Sequence, residues 1–391
     1  TTPPETNPRH SWMGADEDPE EALLCSSDER LPLTNHQGKS RSAKAGSDSS
    51  ALHFIRFWGI VHIVLHNLLP DSPFSLWGHF WVTFLFLLSG FGPASAKLHR
   101  GEDPGWLPRW QTLLRRWAAI YPLYLVSIFC TMLIDSHWCK YCLSHKMECG
   151  VELLMLQGFQ STWSSASRAI NSADWFCAVL LVYWLLEEPV YAALVAAWRR
   201  KHQGRIIAAS VMLAWWYLLP TWAWYRSLND LRWIEFLHYY AMGAMLAFCL
   251  RDRWASRFSG LGTFAALSLA AIFVIVHDGV DISWCLYDEP QLVAPLFCLL
   301  LLGVENGRDP LGTVLSTWPF ALTREVSYGI YILQAPIVAG LQRMPPESRW
   351  HVAKGTPAFV LAALTMALPL AIAAQVLVQR PVNNLVRSLC S

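Results

Sequence analysis

The sequence predicts an all-α, polytopic membrane protein with about ten transmembrane helices. Three observations lead there. Hydrophobic residues make up 54% of the 391-residue chain and charged residues only 15%, against about 25% charge in soluble proteins. A charge at the bilayer centre costs about 2.5–3.5 kcal/mol, so a lipid-facing surface must give charge up. From about residue 53, apolar runs of roughly 18–25 residues recur, the length at which a helix covers about 30 Å of hydrocarbon. Finally, lysine and arginine gather on alternate connections between those runs.

Residues 1–50 are polar and rich in Pro, Ser, Glu and Arg. They cannot bury enough apolar surface to offset the entropy of ordering, and a disordered cytosolic tail is expected. The segment holds no apolar run long enough for a signal peptide. Spans are expected at 53–70, 77–97, 113–135, 174–198, 206–226, 232–250, 259–277, 289–305, 319–342 and 356–379. The fourth is the least regular, because Glu187, Glu188 and Pro189 fall inside it. Residues 151–173 begin apolar and turn polar, so a partial or re-entrant segment is expected. With the tail placed in the cytosol, 21 of the 30 lysines and arginines lie on its side and eight opposite, with Arg56 inside the first span. That bias puts both termini in the cytosol.

The same map sends Cys139, Cys142, Cys149 and Cys285 to the non-cytosolic side. Disulfides in an oxidising compartment, a metal site with His145, and free thiols are all open there, and four cysteines allow three pairings. Cys130, Cys177, Cys249 and Cys298 read as small apolar packing residues. The acidic stretch from Asp278 to Glu289 reads as a solvated loop.

Ionisable residues inside spans are candidates for function, because each needs a partner or a water-filled cavity. The first span carries Arg56, His62 and His66. His62 and His66 are one turn apart on one face. His66 lies about 15 Å along the axis from Arg56. A histidine there can take a proton from a hydroxyl and return it; it can equally be a structural residue bonded to a neighbouring helix. Ser89-Gly90 near the end of the second span permits close helix contact. Arg115-Arg116 opens the third span and leads to Tyr121-Pro122. The two arginines set topology and also suit a phosphate-bearing ligand, which guanidinium binds bidentately. One of Glu187 and Glu188 reads as solvated at the interface.

Taken in order, these segments resemble the membrane-bound acyltransferase-3 family over most of residues 52–388. The resemblance rests on Arg56 and His66 in the first helix, FLLSGF at 86–91, and RRWAAIYPLYLVSIF at 115–129. It continues through Asn171 to Trp175, Phe236 to Gly243, SYGIYILQAPIV at 327–338, and Arg380-Pro381. It implies a transmembrane acyltransferase domain over 51–391. Such an enzyme takes an acyl group, usually acetyl, from cytosolic acyl-CoA and delivers it to a hydroxyl of a carbohydrate, lipid or other small molecule. His66 is then the catalytic base. Arg56, Ser89, Arg115, Arg116, Tyr121, Ser327, Tyr328 and Gln334 line the acyl-CoA and substrate site, with Ser89, Tyr328 or backbone N–H groups near Gly90 as oxyanion donors. The expected partners are acyl-CoA as co-substrate, a hydroxyl-bearing acceptor and the lipid bilayer. No nucleic acid, metal or bound cofactor is expected.

The chain departs from the family pattern in five places. Nine residues separate Arg56 from His66 where the family commonly has ten. An ideal helix then turns the two about 80° apart, unless a π-bulge restores the register. Ala119 stands where a second arginine is common, and Leu180 where a glutamate often follows the tryptophan. Gln334 replaces a frequent histidine and Gln379 a late glutamate. These changes keep two rivals in view: a catalytically silent relative that binds or moves an apolar acyl compound, and an unrelated transporter.

Overall fold

The computed structural model describes residues 50–69, 76–157, 170, 174–218, 234, 236–251, 260–277, 293–305, 309–317, 323–345, 347–348 and 352–390. Nearly all of the expected tail, Asn171, the acidic loop 278–289 and Cys285 lie outside the described residues. Every regular element among the described residues is helical. In chain order these are α1 Ser50–Leu68, a 3₁₀ turn Leu76–His79, α2 Phe80–Arg100, α3 Trp110–Ile134, α4 Ser136–Ser144, α5 Lys146–Leu153, α6 Asp174–Arg199, α7 Lys201–Leu218 and α8 Leu237–Arg251. There follow α9 Leu261–His277, α10 Ala294–Glu305, α11 Pro310–Leu315, α12 Thr323–Gln342, α13 Pro357–Ala374, a π-turn Gln375–Gln379 and α14 Arg380–Cys390.

Each expected span overlaps one of these helices. Among the described residues, five helices are long and apolar enough to cross a bilayer: Ser50–Leu68, Trp77–Arg100, Trp110–Ile134, Trp175–Arg199 and Pro357–Leu389. Leu261–Ile275 and Ala294–Glu305 are apolar but shorter. Helices α7 and α12, of 18 and 20 residues, are long enough for a crossing but less apolar than those five, and α8, of 15 residues, is shorter than a crossing needs.

Small residues let the helices approach closely, as they must where lipid offers no hydrophobic drive to association. A β-carbon on Gly90 of α2 would sit 1.9 Å from the Tyr240 carbonyl oxygen of α8, and one on Gly243 would sit 1.9 Å from that of Leu87. The Ser89-Gly90 pair is therefore a helix crossing. Beside it Phe86 is fully buried among Trp175, Phe176, Tyr183 and Phe236, with ring centroids 4.8–6.2 Å away. Three of the segments that carry the family resemblance thus meet in one aromatic knot.

Helices α1, α3 and α13 pack against α12. The Tyr328 hydroxyl donates to the Ile120 carbonyl (3.1 Å) and the Ser127 hydroxyl to that of Ile332 (2.7 Å). Both partners advance along the chain together, so α3 and α12 run in the same direction. The end of α5 and the residues after it fold back to mid-helix on α3: the Tyr121 hydroxyl donates to the Leu153 carbonyl (2.9 Å), and Gln157 Nε2 to the Tyr124 hydroxyl (3.0 Å). Buried Glu152 accepts from the Ile170 N–H (2.7 Å). The start of the 151–173 segment therefore enters the bundle. Cys142 and Cys149 form a disulfide, and Cys139 is an exposed free thiol. No metal-binding cluster occurs among the described residues.

Asp309 ties two helix starts together. Its carboxylate accepts from the N–H groups of Gly262 (2.7 Å) and Leu311 (3.0 Å), and from the Thr263 hydroxyl (2.6 Å). Burial alone would raise its pKa, but the hydrogen bonds from Thr263, Leu311 and Gly262 outweigh burial and hold it below the ordinary aspartate value. A depressed carboxyl stabilises the fold above its unfolded pKa, about 3.9, and that contribution is lost as pH falls through the folded value. Asp309→Ala is expected to cost about 2–3 kcal/mol at neutral pH, since each orphaned N–H group is expensive. Thermal melts of variant and wild type in the same detergent should differ at pH 7 and converge as the medium is acidified below about pH 4.

Candidate active site

Helix α1 is regular through both Arg56 and His66. No π-turn restores the family register, and the two residues stay on faces about 80° apart. The two histidines of α1 differ in their surroundings. His62 is buried, and its Nδ1 accepts from Trp81 Nε1 at 2.9 Å; it is a structural histidine bonded to the next helix. His66 lies in the last turn of α1 and is partly exposed. Its ring centroid is 5.6 Å from that of His79 in the 3₁₀ turn.

Asn67 follows directly, and its Nδ2 donates to Gln334 Oε1 on α12 at 3.1 Å. Gln334 is buried, and its Nε2 has no hydrogen-bond partner among the described residues. A buried donor left without an acceptor costs about 1–3 kcal/mol, and such sites commonly serve a ligand or water. Gln334 therefore presents this donor beside Asn67, the residue that follows His66.

The remaining candidates are placed as follows. Ser89 donates to the Leu85 carbonyl within its own helix (2.7 Å). The Tyr121 and Tyr328 hydroxyls donate to the backbone carbonyls already given, and Cys177 Sγ lies 3.9 Å from the Tyr328 hydroxyl. Ser327 is fully buried on α12. Arg56 and Arg115 are partly exposed.

Arg116 belongs to a buried charge cluster. Its guanidinium bonds Glu187, which also meets Lys97 Nζ at 2.5 Å. Lys97 meets Glu188 at 2.9 Å, and Arg109 lies 3.5 Å from Glu188. Arg100 and Arg109 both pair with Glu102. Lys97, Arg116, Glu187 and Glu188 are only 3%, 6%, 6% and 4% exposed. Neither glutamate is a solvated interfacial residue as the sequence suggested: helices α2, α3 and α6 enclose both. Two cations and two carboxylates give the inner cluster no net charge.

Two departures from the family pattern meet in space. Gln379, in the π-turn after α13, donates from Nε2 to the Ala119 carbonyl of α3 at 3.1 Å. A single neutral contact thus joins the two positions. Leu180 lies in the hydrophobic core.

Lys97 and His79 escaped the sequence reading. Both fall inside the expected 77–97 span, so the rule that singled out His66 and Arg56 applies to them equally.

A family model for the acyltransferase-3 group, described as an acyltransferase domain, matches residues 49–376. No curated protein and no solved structure matches the chain.

Proposed function

Because the chain belongs to the acyltransferase-3 family, we propose that it moves an acyl group, acetyl first among them, from cytosolic acyl-CoA to a hydroxyl of a small molecule, lipid or carbohydrate. The observation that carries this reading is the end of α1. There an imidazole is followed at once by Asn67, which holds the carbonyl of a buried amide whose nitrogen has no hydrogen-bond partner among the described residues.

In this reaction His66 takes the proton of the acceptor hydroxyl as its oxygen attacks the thioester carbonyl. Negative charge gathers on the carbonyl oxygen, where a preorganised donor stabilises it. Gln334 Nε2 is the best-placed donor, because the Ser89 and Tyr328 hydroxyls already donate to backbone carbonyls. The carbon–sulfur bond then breaks, and the proton passes from His66 to the CoA thiolate. Arg56, Arg115 and Arg116 meet the CoA phosphates from the cytosolic side, and the Arg116 guanidinium also bonds Glu187. Tyr121 and Ser327 shape the wall of the site. The reading also includes ten spans with both termini in the cytosol. The shared direction of α3 and α12 supports it, since the third and ninth of ten crossings must run the same way.

The test uses the full chain in lipid nanodiscs with radiolabelled acetyl-CoA and a panel of sugars, sterols and lipid alcohols. Label should appear in one acceptor class with release of an equal amount of CoA thiol. Saturable acetyl-CoA binding without transfer to any acceptor would favour the silent acyl-binding relative instead.

A further inference from the structure

His79 is held against His66 by the shape of the turn that carries it. A β-carbon on the preceding residue, Gly78, would lie 2.2 Å from the His66 β-carbon and 2.6 Å from the His62 carbonyl oxygen. Only glycine lets the 3₁₀ turn press this closely onto the last turn of α1. The next residue then brings its imidazole to 5.6 Å from that of His66, centroid to centroid, with the rings tilted by 49°. The Phe80 ring backs His79 at 3.9 Å. His79 precedes the first residue of α2, yet its side chain makes no capping hydrogen bond there. It is also only partly buried.

We infer that His79 is a positioning residue for His66, a role that rests on the acyltransferase reading above. A ring nitrogen of His79 accepts the N–H of His66, directly or through one water, which is within the reach that proton transfer needs. The contact fixes the His66 tautomer, leaving its other nitrogen unprotonated toward the acceptor hydroxyl. When His66 takes the hydroxyl proton, it becomes a cation and its hydrogen bond to His79 strengthens. His79 gains and loses nothing over the cycle. The proton goes from the acceptor oxygen to His66 and then to the sulfur of CoA. One carbon–oxygen bond forms and one carbon–sulfur bond breaks.

Two measurements on the full chain in nanodiscs test this. The first is turnover of radiolabelled acetyl-CoA, with water as the acceptor and labelled acetate as the product. His79→Ala should lower kcat on the order of 10²-fold, the scale set by a misplaced catalytic group, with KM for acetyl-CoA unchanged. His79→Gln, which can still accept a hydrogen bond, should recover part of the loss. The second needs no turnover: nitrogen-labelled histidine spectra, with the His66 signal assigned by its loss in His66→Asn. Wild type should show one His66 tautomer and His79→Ala a mixture.

Full kcat together with an unchanged tautomer in His79→Ala would overturn the role of His79 and leave the acyltransferase reading standing. A tautomer that follows His79 in a protein without acetyl transfer would overturn the acyltransferase reading, and with it the catalytic part of this inference. Should His79→Ala fail to fold, His79→Gln carries both measurements: its kcat should fall by less than the alanine figure, and a full loss would mark a merely structural contact.

Discussion

His66→Ala is expected to lower kcat for acyl transfer by about 10²–10⁴-fold, the usual contribution of a positioned general base. KM for acetyl-CoA should stay near the wild-type value, because the lost interaction exists only while the acceptor proton is in flight. The contrast that gives this result meaning is His62→Ala. His62 is on the same helix face and buried, and its Nδ1 holds the Trp81 indole. Its removal should orphan that N–H and lower the melting temperature, yet leave turnover per folded molecule within a few-fold of wild type. If His66→Ala turned over at the wild-type rate, the proposed base would have no role and the proton path would need another acceptor.

Sequence alone reached the helices because lipid imposes a simple rule: a span must be apolar over its length, and the chain shows that directly. It also reached the crossing at Gly90, because small residues have one main use inside apolar helices. Pairing was beyond it. Arg116 and Glu187 are 71 positions apart, and nothing local to either marks the other. Each therefore read as an isolated charge, one as a topological marker and one as an interfacial residue.

The same blindness affected Ala119 and Gln379, which read as two separate losses of charge. In the folded chain they are one contact, 260 positions apart in sequence. His79 was hidden for a different reason. It sits in a short turn, and its closeness to His66 depends on a glycine whose effect is steric. The resemblance islands likewise held two kinds of information in one string. Phe86, Trp175, Phe236 and Gly243 are packing, whereas His66 and Gln334 belong to the proposed site.

The buried charge cluster gives the second large effect. Glu187 is the shared partner of Lys97 and Arg116, and all three are nearly solvent-free. Glu187→Ala leaves two buried cations facing Glu188 alone. Breaking a buried ion pair from one side typically costs about 3–5 kcal/mol, because the surviving charge keeps its desolvation penalty. A severe loss of folded, monodisperse protein in detergent is therefore expected. The pair Arg116→Met with Glu187→Met behaves differently, because it removes one charge of each sign and leaves Lys97 with Glu188 at 2.9 Å. Replacing both partners by apolar residues of similar size is often neutral, so this double variant should melt close to wild type. The double variant should then be more stable than Glu187→Ala by about 3–5 kcal/mol, the cost of the uncompensated charge that the second substitution removes.

The double variant also separates the two roles of Arg116. If the guanidinium serves only the fold, a stable double variant should bind acetyl-CoA as wild type does. If the guanidinium also bonds a CoA phosphate directly, the same well-folded protein should show a raised KM for acetyl-CoA and an unchanged kcat. We expect the second result. Removing a structural pair alone gives no reason for a change confined to the anionic substrate, and wild-type affinity in the stable double variant would take Arg116 out of the binding site.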